Sequence, residues 1–141
     1  MTSLLPDAVA IGVGAVFGAY SRFHIGRLAT EKIAQDPKRF GVYSGWHTAG
    51  INIAGSFILG IVSQAPVSKS TNIPGLTHRT KLMLGVGFCG SFTTFSTFSC
   101  DVVSWIAKGE TIRAMQYVMV NNVGSVMGAA AGMAFVKKIL S

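Results

Sequence analysis

Apolar residues gather in four stretches along the chain, separated by polar connections. The stretches cover residues 7–29, 46–65, 81–106 and 115–136. Each is close to the roughly 20 residues that a helix needs to cross the hydrocarbon core of a bilayer. The connections at 30–45 and 66–80 carry proline and clusters of polar residues, which are typical of loops. The pattern predicts one all-α membrane domain, residues 1–141, built from four transmembrane helices.

The centre of the third stretch, residues 85–99, interrupts an otherwise apolar span with glycines and hydroxyl groups. Its sequence, GVGFCGSFTTFSTFS, places three glycines ahead of six serines and threonines and keeps four phenylalanines among them. Hydrocarbon offers the backbone no hydrogen-bond partner, so non-helical backbone persists at membrane depth only inside protein or beside a polar cavity. We therefore expect a break in the third helix, with carbonyl oxygens open to an ion.

Glycines recur at every fourth position on two of the predicted helices. Gly124, Gly128 and Gly132 follow this spacing in the fourth stretch, and Gly14 and Gly18 follow it in the first. Glycines at this spacing let another backbone approach closely, so these surfaces favour helix packing over pore walls. Four helices packed this tightly leave little room for an aqueous pathway, and the sequence therefore predicts an oligomer.

Composition and charge support the membrane interpretation. Charged residues make up 12% of the chain, against about 25% in a typical soluble domain. The net charge of +7 comes from cations scattered between the apolar stretches. This distribution favours membrane-flanking residues over nucleic-acid binding.

The cations also bear on orientation, because an excess of Lys and Arg marks the cytoplasmic side of a membrane protein. With four spans, both termini share one side of the membrane. That side carries five cations, Lys69, Arg79, Lys81, Lys137 and Lys138, and the other carries seven, Arg22, Arg27, Lys32, Lys38, Arg39, Lys108 and Arg113. A difference of two charges does not select one direction, so we predict dual topology, with copies inserted both ways.

Two polar stripes run through the apolar second and fourth spans at four-residue intervals. They consist of Thr48, Asn52 and Ser56 on the second span, and of Tyr117, Asn121 and Ser125 on the fourth. Residues four apart share one face of a helix. Each stripe either makes hydrogen bonds between helices or lines a pathway. As neutral hydrogen-bond donors, these side chains suit a small anion, whereas a cation pathway would favour carboxylates.

Three further features have both a functional and a structural interpretation. Phe95 and Phe98 present aromatic edges, which carry partial positive charge, or they are core aromatics. Arg22 attracts anions to a vestibule, or it extends its charge to the membrane interface. Asp101, inside the third span, is interpreted as a helix-packing partner rather than a proton relay.

The sequence carries no recognisable catalytic set. No nucleophile, general base and orienting residue occur together, and His24, His47 and His78 lack metal-ligand spacing. There is also no phosphate-binding glycine loop. We therefore expect a protein that is not an enzyme.

Three sequence blocks resemble a known family, the Fluc (CrcB) fluoride channels. GVGAVFGAYSRF at 12–23 is similar to the family's glycine-rich first helix, which ends in arginine and an aromatic residue. INIAGSFILG at 51–60 is similar to its second-helix signature, and GFCGSFTTFSTFS at 87–99 to its helix-3 break. The resemblance extends from about residue 12 to residue 132, across all four predicted helices.

The resemblance implies an antiparallel dual-topology homodimer in the cell membrane, inner or plasma. It further implies two fluoride pores and one central Na⁺, held by the backbone carbonyls of Gly90 and Thr93 from both subunits. Oxygen ligands suit this hard cation in a structural role. The implied function is passive, fluoride-selective export of cytoplasmic fluoride down its electrochemical gradient, which gives fluoride resistance.

The resemblance also implies roles for single residues of the fluoride pathway. Those that match family positions are Arg22 in the vestibule, Thr48, Asn52, Phe95, Phe98 and Tyr117 along the pore, and the hydroxyl donors Thr94 and Ser96. The stripe on the fourth span adds Asn121 and Ser125. Three residues depart from the family pattern: Asn121 replaces a small hydroxyl residue, Asp101 a common glutamate and His47 a common glycine.

Two other functions remain as alternatives. A small dual-topology multidrug exporter would need a membrane carboxylate to exchange protons, and the first span offers none beyond Asp7 at its edge. A non-transporting membrane assembly subunit would need only the glycine faces, which leaves the polar stripes unexplained. Drug-driven proton release would identify the exporter, and absence of flux from folded protein would favour the assembly subunit.

Overall fold

The computed structural model describes residues 4–67 and 75–141 of the chain. Within these two ranges the chain is helical, apart from short connections and an isolated bridge between Val67 and Leu76. The helices are α1 (Leu4–Gln35), α2 (Pro37–Phe40), α3 (Trp46–Gln64), α4 (His78–Lys81), α5 (Gly90–Phe92), α6 (Phe95–Ala107) and α7 (Thr111–Leu140). A 3-10 turn covers Gly41–Tyr43, and a π-helical segment covers Leu82–Cys89. The predicted all-α fold class is confirmed.

Within the described residues, three helical stretches are long and apolar enough to cross a membrane, namely α1, residues 78–107 and α7. α3 provides a fourth only when it is counted with the short helices at 37–43, from which it is bent by 44°. The helices at 4–35, 78–107 and 111–140 extend beyond the predicted stretches at both ends. Hydropathy marks only the apolar middle of a span, whereas its hydrogen-bonded helix continues into the polar interface.

The predicted connection at 30–45 is largely helical rather than an irregular loop. α1 continues to Gln35, and an ion pair of 3.0 Å between Arg27 and Glu31 joins successive turns near its end. The helix ends where Asp36 and Pro37 follow, since Asp36 caps α2 by accepting a hydrogen bond from the Arg39 N–H at 3.1 Å. In the other predicted connection, residues 68–74 lie outside the described residues, and Lys69 is one of them.

Extended backbone in the third stretch covers only Thr93 and Thr94. α5 ends at Phe92, and α6 begins at Phe95. The two residues between them take β-region angles, with φ −76° and ψ 157° at Thr93 and φ −151° and ψ 112° at Thr94. The glycines at 85 and 87 lie instead in the π-helical segment, which the sequence did not predict. We call Thr93 and Thr94 the interruption.

Glycines bring the helix backbones into direct contact. A Cβ added at Gly14 or Gly18 of α1 would collide with backbone carbonyls of the π-helical segment. A Cβ added at Gly60 of α3 or Gly132 of α7 would collide with the backbone of the opposite helix. α1 therefore packs along the third stretch, and α3 packs along α7. The glycine spacing predicted packing faces on the first and fourth spans but not which helices they would contact.

The buried core lies where α3, α6 and α7 meet. It contains Ala49, Phe98, Trp105, Ala114 and Tyr117. Arg113 closes one end of this core: its guanidinium lies 4.5 Å from the Trp105 ring, and it donates to the Val42 and Ser44 carbonyls at 3.0 Å. The arginine thus ties the start of α7 to the turn that begins α3.

Candidate functional site

The side chain of Asn52 on α3 holds the interruption in place. Its Oδ1 accepts a hydrogen bond from the Thr94 N–H at 2.7 Å, and its Nδ2 donates to the Thr94 carbonyl at 3.2 Å. Asn52 and Thr94 are 7% and 8% exposed, so these bonds are shielded from solvent. The Asn52 side-chain amide therefore replaces both hydrogen-bond partners that the backbone of Thr94 would have in a helix.

A glycine one turn further along α3 makes room for the interruption. A Cβ added at Gly55 would collide with the Thr93 side chain and lie 3.2 Å from the Phe92 ring. Because residues four or three apart share a helix face, Asn52 and Gly55 meet the interruption from the same side. α3 therefore supplies both the hydrogen bonds and the space that Thr93 and Thr94 require.

The interruption releases two carbonyl oxygens from the helical pattern. In a continuous helix, the N–H groups of Thr94 and Thr97 would donate to the carbonyls of Gly90 and Thr93, four residues earlier. Instead, they donate to Asn52 Oδ1 at 2.7 Å and to Thr94 Oγ1 at 3.2 Å. The oxygens of Gly90 and Thr93 are thus left for another partner, as the last carbonyls of any helix are.

The two predicted polar stripes meet at one hydrogen bond. Asn52 Nδ2 donates its second hydrogen to Asn121 Oδ1 on α7 at 3.0 Å. Because Thr94 fixes which end of the Asn52 amide donates, Asn121 must present its oxygen to Asn52 and turn its NH₂ group away. Both hydrogens of the Asn52 amide are therefore occupied, whereas those of Asn121 make no hydrogen bond within the described part of the chain.

Two polar cavities lie on either side of Thr94. The break cavity, about 330 Å³, lies between α3, α7 and the third stretch; its polar lining is Asn52, Ser56, Thr93, Thr94, Asn121, Asn122 and Ser125. The Arg22 cavity, about 390 Å³, lies between α1, α3 and the start of α6; its polar lining is Arg22, Arg27, Thr30, His47, Thr48, Thr94 and Thr97. Thr94 lines both cavities.

The two cavities differ in charge. The Arg22 cavity has two arginines among the residues that line it, and the break cavity is lined by neutral residues. None of the residues that line either cavity in the described ranges is acidic. The hydroxyl oxygen of Ser125 is buried in the break cavity and has no hydrogen-bond partner there. Positive charge beside neutral donors favours anions over cations.

The structure brings most of the predicted pathway residues to these cavities, but not all of them. Phe95, 73% exposed, lines the break cavity. Phe98 and Tyr117, 5% and 0% exposed, lie in the buried core and line neither cavity. Ser96 also lines neither, although its hydroxyl group is 3.2 Å from Thr94 Oγ1.

The buried rings of Phe98 and Tyr117 form a stack that supports the exposed ring of Phe95. The Phe95 and Phe98 ring centres are 5.4 Å apart, and those of Phe98 and Tyr117 are 5.3 Å apart. The Tyr117 hydroxyl group donates to Asp101 at 3.1 Å, so Asp101 joins α6 to α7 through a tyrosine, whereas the sequence favoured an arginine or a serine as its partner. Phe95 is therefore backed by a fixed aromatic stack.

Sequence reasoning did not assign six of the polar residues that line the two cavities to the site: Ser56, Asn122, Arg27, Thr30, His47 and Thr97. Ser56 belongs to the α3 stripe, so its spacing could have placed it. Asn122 follows Asn121 directly, and helical periodicity alone assigns it to a different face. His47 gave no signal, because its place beside the cavity depends on how α1 crosses α3.

The interrupted third stretch, the long apolar helices and the two polar cavities define a multi-pass membrane protein with a candidate anion pathway. The model of the family described as CrcB-like protein, Camphor Resistance (CrcB), matches residues 9–133. The chain therefore belongs to the CrcB family.

Its relatives carry a functional name. A fluoride-specific ion channel of Methanocaldococcus jannaschii is 36% identical over 121 residues, which cover 86% of each protein. One of Pseudomonas putida is 33% identical over 93% of this chain and 94% of its own length. One of Idiomarina loihiensis is 36% identical over 94% of both. Relatives named as ion channels agree with the expectation that the chain is not an enzyme.

Replacing Asn52 with alanine should lower stability measurably. The change leaves the N–H and carbonyl of Thr94 buried without partners, at a cost of roughly 2 kcal/mol or more. We expect the midpoint of thermal unfolding in detergent to fall by about 5–10 °C. Asn122→Ala is the matched control, because Asn122 is exposed and donates only to the Val118 carbonyl of its own helix. Equal midpoints for the two variants would contradict the role given to Asn52.

Proposed function

We propose that the protein is a fluoride-selective channel that exports cytoplasmic fluoride passively and so gives fluoride resistance. The observation that carries the proposal is the pair of cavities joined at Thr94, one cationic and one lined by neutral donors, without a carboxylate among their described lining residues. The relatives' name, fluoride-specific ion channel, supports the choice of anion.

The first step of the proposed pathway is electrostatic. Arg22 raises the anion concentration in its cavity, where the hydroxyl groups of Thr48 and Thr97 replace part of the anion's hydration shell, whereas the Thr94 hydroxyl already donates to Thr97 Oγ1 at 3.1 Å. These donors are neutral and separate, so they bind a small anion without holding it. Such weak, repeated sites permit both uptake and release.

The second step uses the donors of the break cavity. Asn52 serves there by positioning Thr94, since protein acceptors occupy both of its amide hydrogens. The free NH₂ of Asn121 and the unpartnered hydroxyl of Ser125, one turn apart on α7, are the donors that an anion would meet. The edge of Phe95, with its partial positive charge, adds a weak attraction at the same cavity.

Passive flow is sufficient for export. Fluoride crosses membranes from acidic surroundings as neutral HF, and it ionises and accumulates in a less acidic cytoplasm. An open pore then lets the anion leave down its electrochemical gradient. Neither a nucleotide site nor a proton-coupling carboxylate is needed.

We further propose that two chains associate antiparallel as a dual-topology homodimer. The charge difference of two cations between the sides and the exposed side of the break cavity support this arrangement. A second copy would cover the exposed ring of Phe95. A C-terminal tag that can be reached from both membrane faces is expected, and exposure on one face only would contradict the proposal.

The released carbonyls at the interruption fit a sodium ion. Those of Gly90 and Thr93 are neutral, hard oxygen donors, and two chains would supply four of them. We propose that these oxygens hold one structural Na⁺ between the subunits. Bound there, the ion would neutralise the negative ends of the four carbonyl dipoles.

The function is tested by ion release from proteoliposomes. Vesicles are loaded with fluoride or chloride, and a potassium ionophore is added so that potassium can leave together with the anion. The released anion is measured with a selective electrode. We expect fluoride to leave much faster than chloride, because the hydroxyl and amide donors favour the small anion. Equal chloride flux would overturn the selective-channel proposal, and no flux from folded protein would favour a structural subunit.

Phe95→Ile should reduce fluoride release about tenfold, since it removes the aromatic edge from the break cavity, an interaction of about 1.4 kcal/mol. Phe98→Ile should also reduce it, because the Phe95 ring loses its support. Both variants should still form dimers. Phe135→Ile, an exposed ring outside both cavities, is the control and should release fluoride at the wild-type rate. Wild-type flux in both test variants would remove the rings from the pathway.

Withdrawal of sodium should separate the subunits and stop fluoride flow. Purified protein is transferred from sodium to N-methylglucamine at equal ionic strength, and its mass is followed by size-exclusion chromatography with light scattering. We expect the mass to fall from two chains to one and to recover when sodium returns. A stable dimer with full fluoride flux in the absence of sodium would rule out this site.

A further inference from the structure

Two buried nitrogens that have no hydrogen-bond partner within the described residues belong to side chains that line the Arg22 cavity from opposite helices. One is Nε of Arg22 on α1, and the other is Nδ1 of His47 on α3. A polar atom buried without a partner costs roughly 1–3 kcal/mol. Two such atoms beside one cavity therefore point to a ligand that both could contact.

A glycine on α1 gives the imidazole of His47 its place. A Cβ added at Gly26 would lie 3.7 Å from His47 Nε2, so the ring packs against the bare backbone of α1. Gly26 is one turn beyond Arg22 on the same face of α1. The crossing of the two helices thus brings the imidazole to the cavity that the guanidinium of Arg22 lines.

The charges around His47 favour an anion as this ligand. From α1, the charged residues that line the cavity are Arg22 and Arg27, and Arg27 is paired with Glu31 at 3.0 Å. No ion pair within the described residues includes Arg22. The interruption contributes the neutral hydroxyl of Thr94 to the cavity, α6 that of Thr97, and α3 that of Thr48. The nearest carboxylate on α6, Asp101, accepts from Tyr117 and lines neither cavity.

We propose that His47 and Arg22 together form a binding site for one small monovalent anion at the mouth of the pathway. This inference rests on the proposed function and adds a residue to it. A protonated imidazole offers a positive charge and an N–H donor on each side, so protonation of His47 strengthens anion binding at the site. Fluoride release therefore increases on acidification.

The test compares fluoride release at pH 7.5 and pH 6.0 from proteoliposomes at low ionic strength, after subtraction of the leak from protein-free vesicles. Wild-type protein should release fluoride about threefold faster at pH 6.0, because a second positive charge raises the local anion concentration. His47→Gln, which keeps a donor but cannot be protonated, should show equal rates at both values. Added inert salt should weaken the wild-type response.

His24→Gln is the matched control, because His24 packs against the rings of Tyr20 and Phe23 and does not line the cavity. It should keep the wild-type pH response. A response that persists in His47→Gln, or a flat response in the wild type, would overturn the inference while the channel proposal stands. No fluoride release by folded wild-type protein at either pH would instead overturn the proposed function itself. His47→Asn replaces His47→Gln if the latter does not fold.

Discussion

The hydrogen bonds between the Asn52 amide and the backbone of Thr94 are the constraint on which the rest of the site depends. The N–H and the carbonyl of Thr94 have no helical hydrogen-bond partners. They lie in an apolar span, where water is not available to replace those partners. The amide offers one acceptor and one donor at 2.7 and 3.2 Å, so both groups of Thr94 are satisfied by a single side chain.

Several features of the site follow from this pairing. Because the Thr94 N–H is occupied, the Gly90 carbonyl has no helical donor; because Thr94 Oγ1 caps α6, the Thr93 carbonyl has none either. The extended residues also end the preceding helix, so that Phe95 begins a new helix beside the break cavity. One asparagine thus determines where carbonyl oxygens are released and where the Phe95 ring lies.

The sequence predicted the architecture well. The length of an apolar stretch, the spacing of glycines and the positions of polar residues each reflect a structural requirement of one segment of the chain. Gly14 and Gly132 were assigned to packing, and the structure places backbone against both. The extent of the interruption was less predictable. Glycines suggested irregular backbone from residue 85 onwards, but a π-helical segment keeps that part hydrogen-bonded, because α1 packs against it. The position of His47 depends on a helix crossing, which no periodicity in one segment encodes.

Asn52 and Asn121 have different roles, and the difference has a physical reason. An amide that clamps the backbone must keep both hydrogens on fixed acceptors, so it cannot release them to a passing ion without loosening the interruption. Asn52 is in this position, and its bond to Asn121 Oδ1 orients the second amide with its hydrogens free. A small hydroxyl at position 121 could accept the same bond but would have only one hydrogen to offer. The asparagine found here therefore gives the break cavity an additional neutral donor without adding charge.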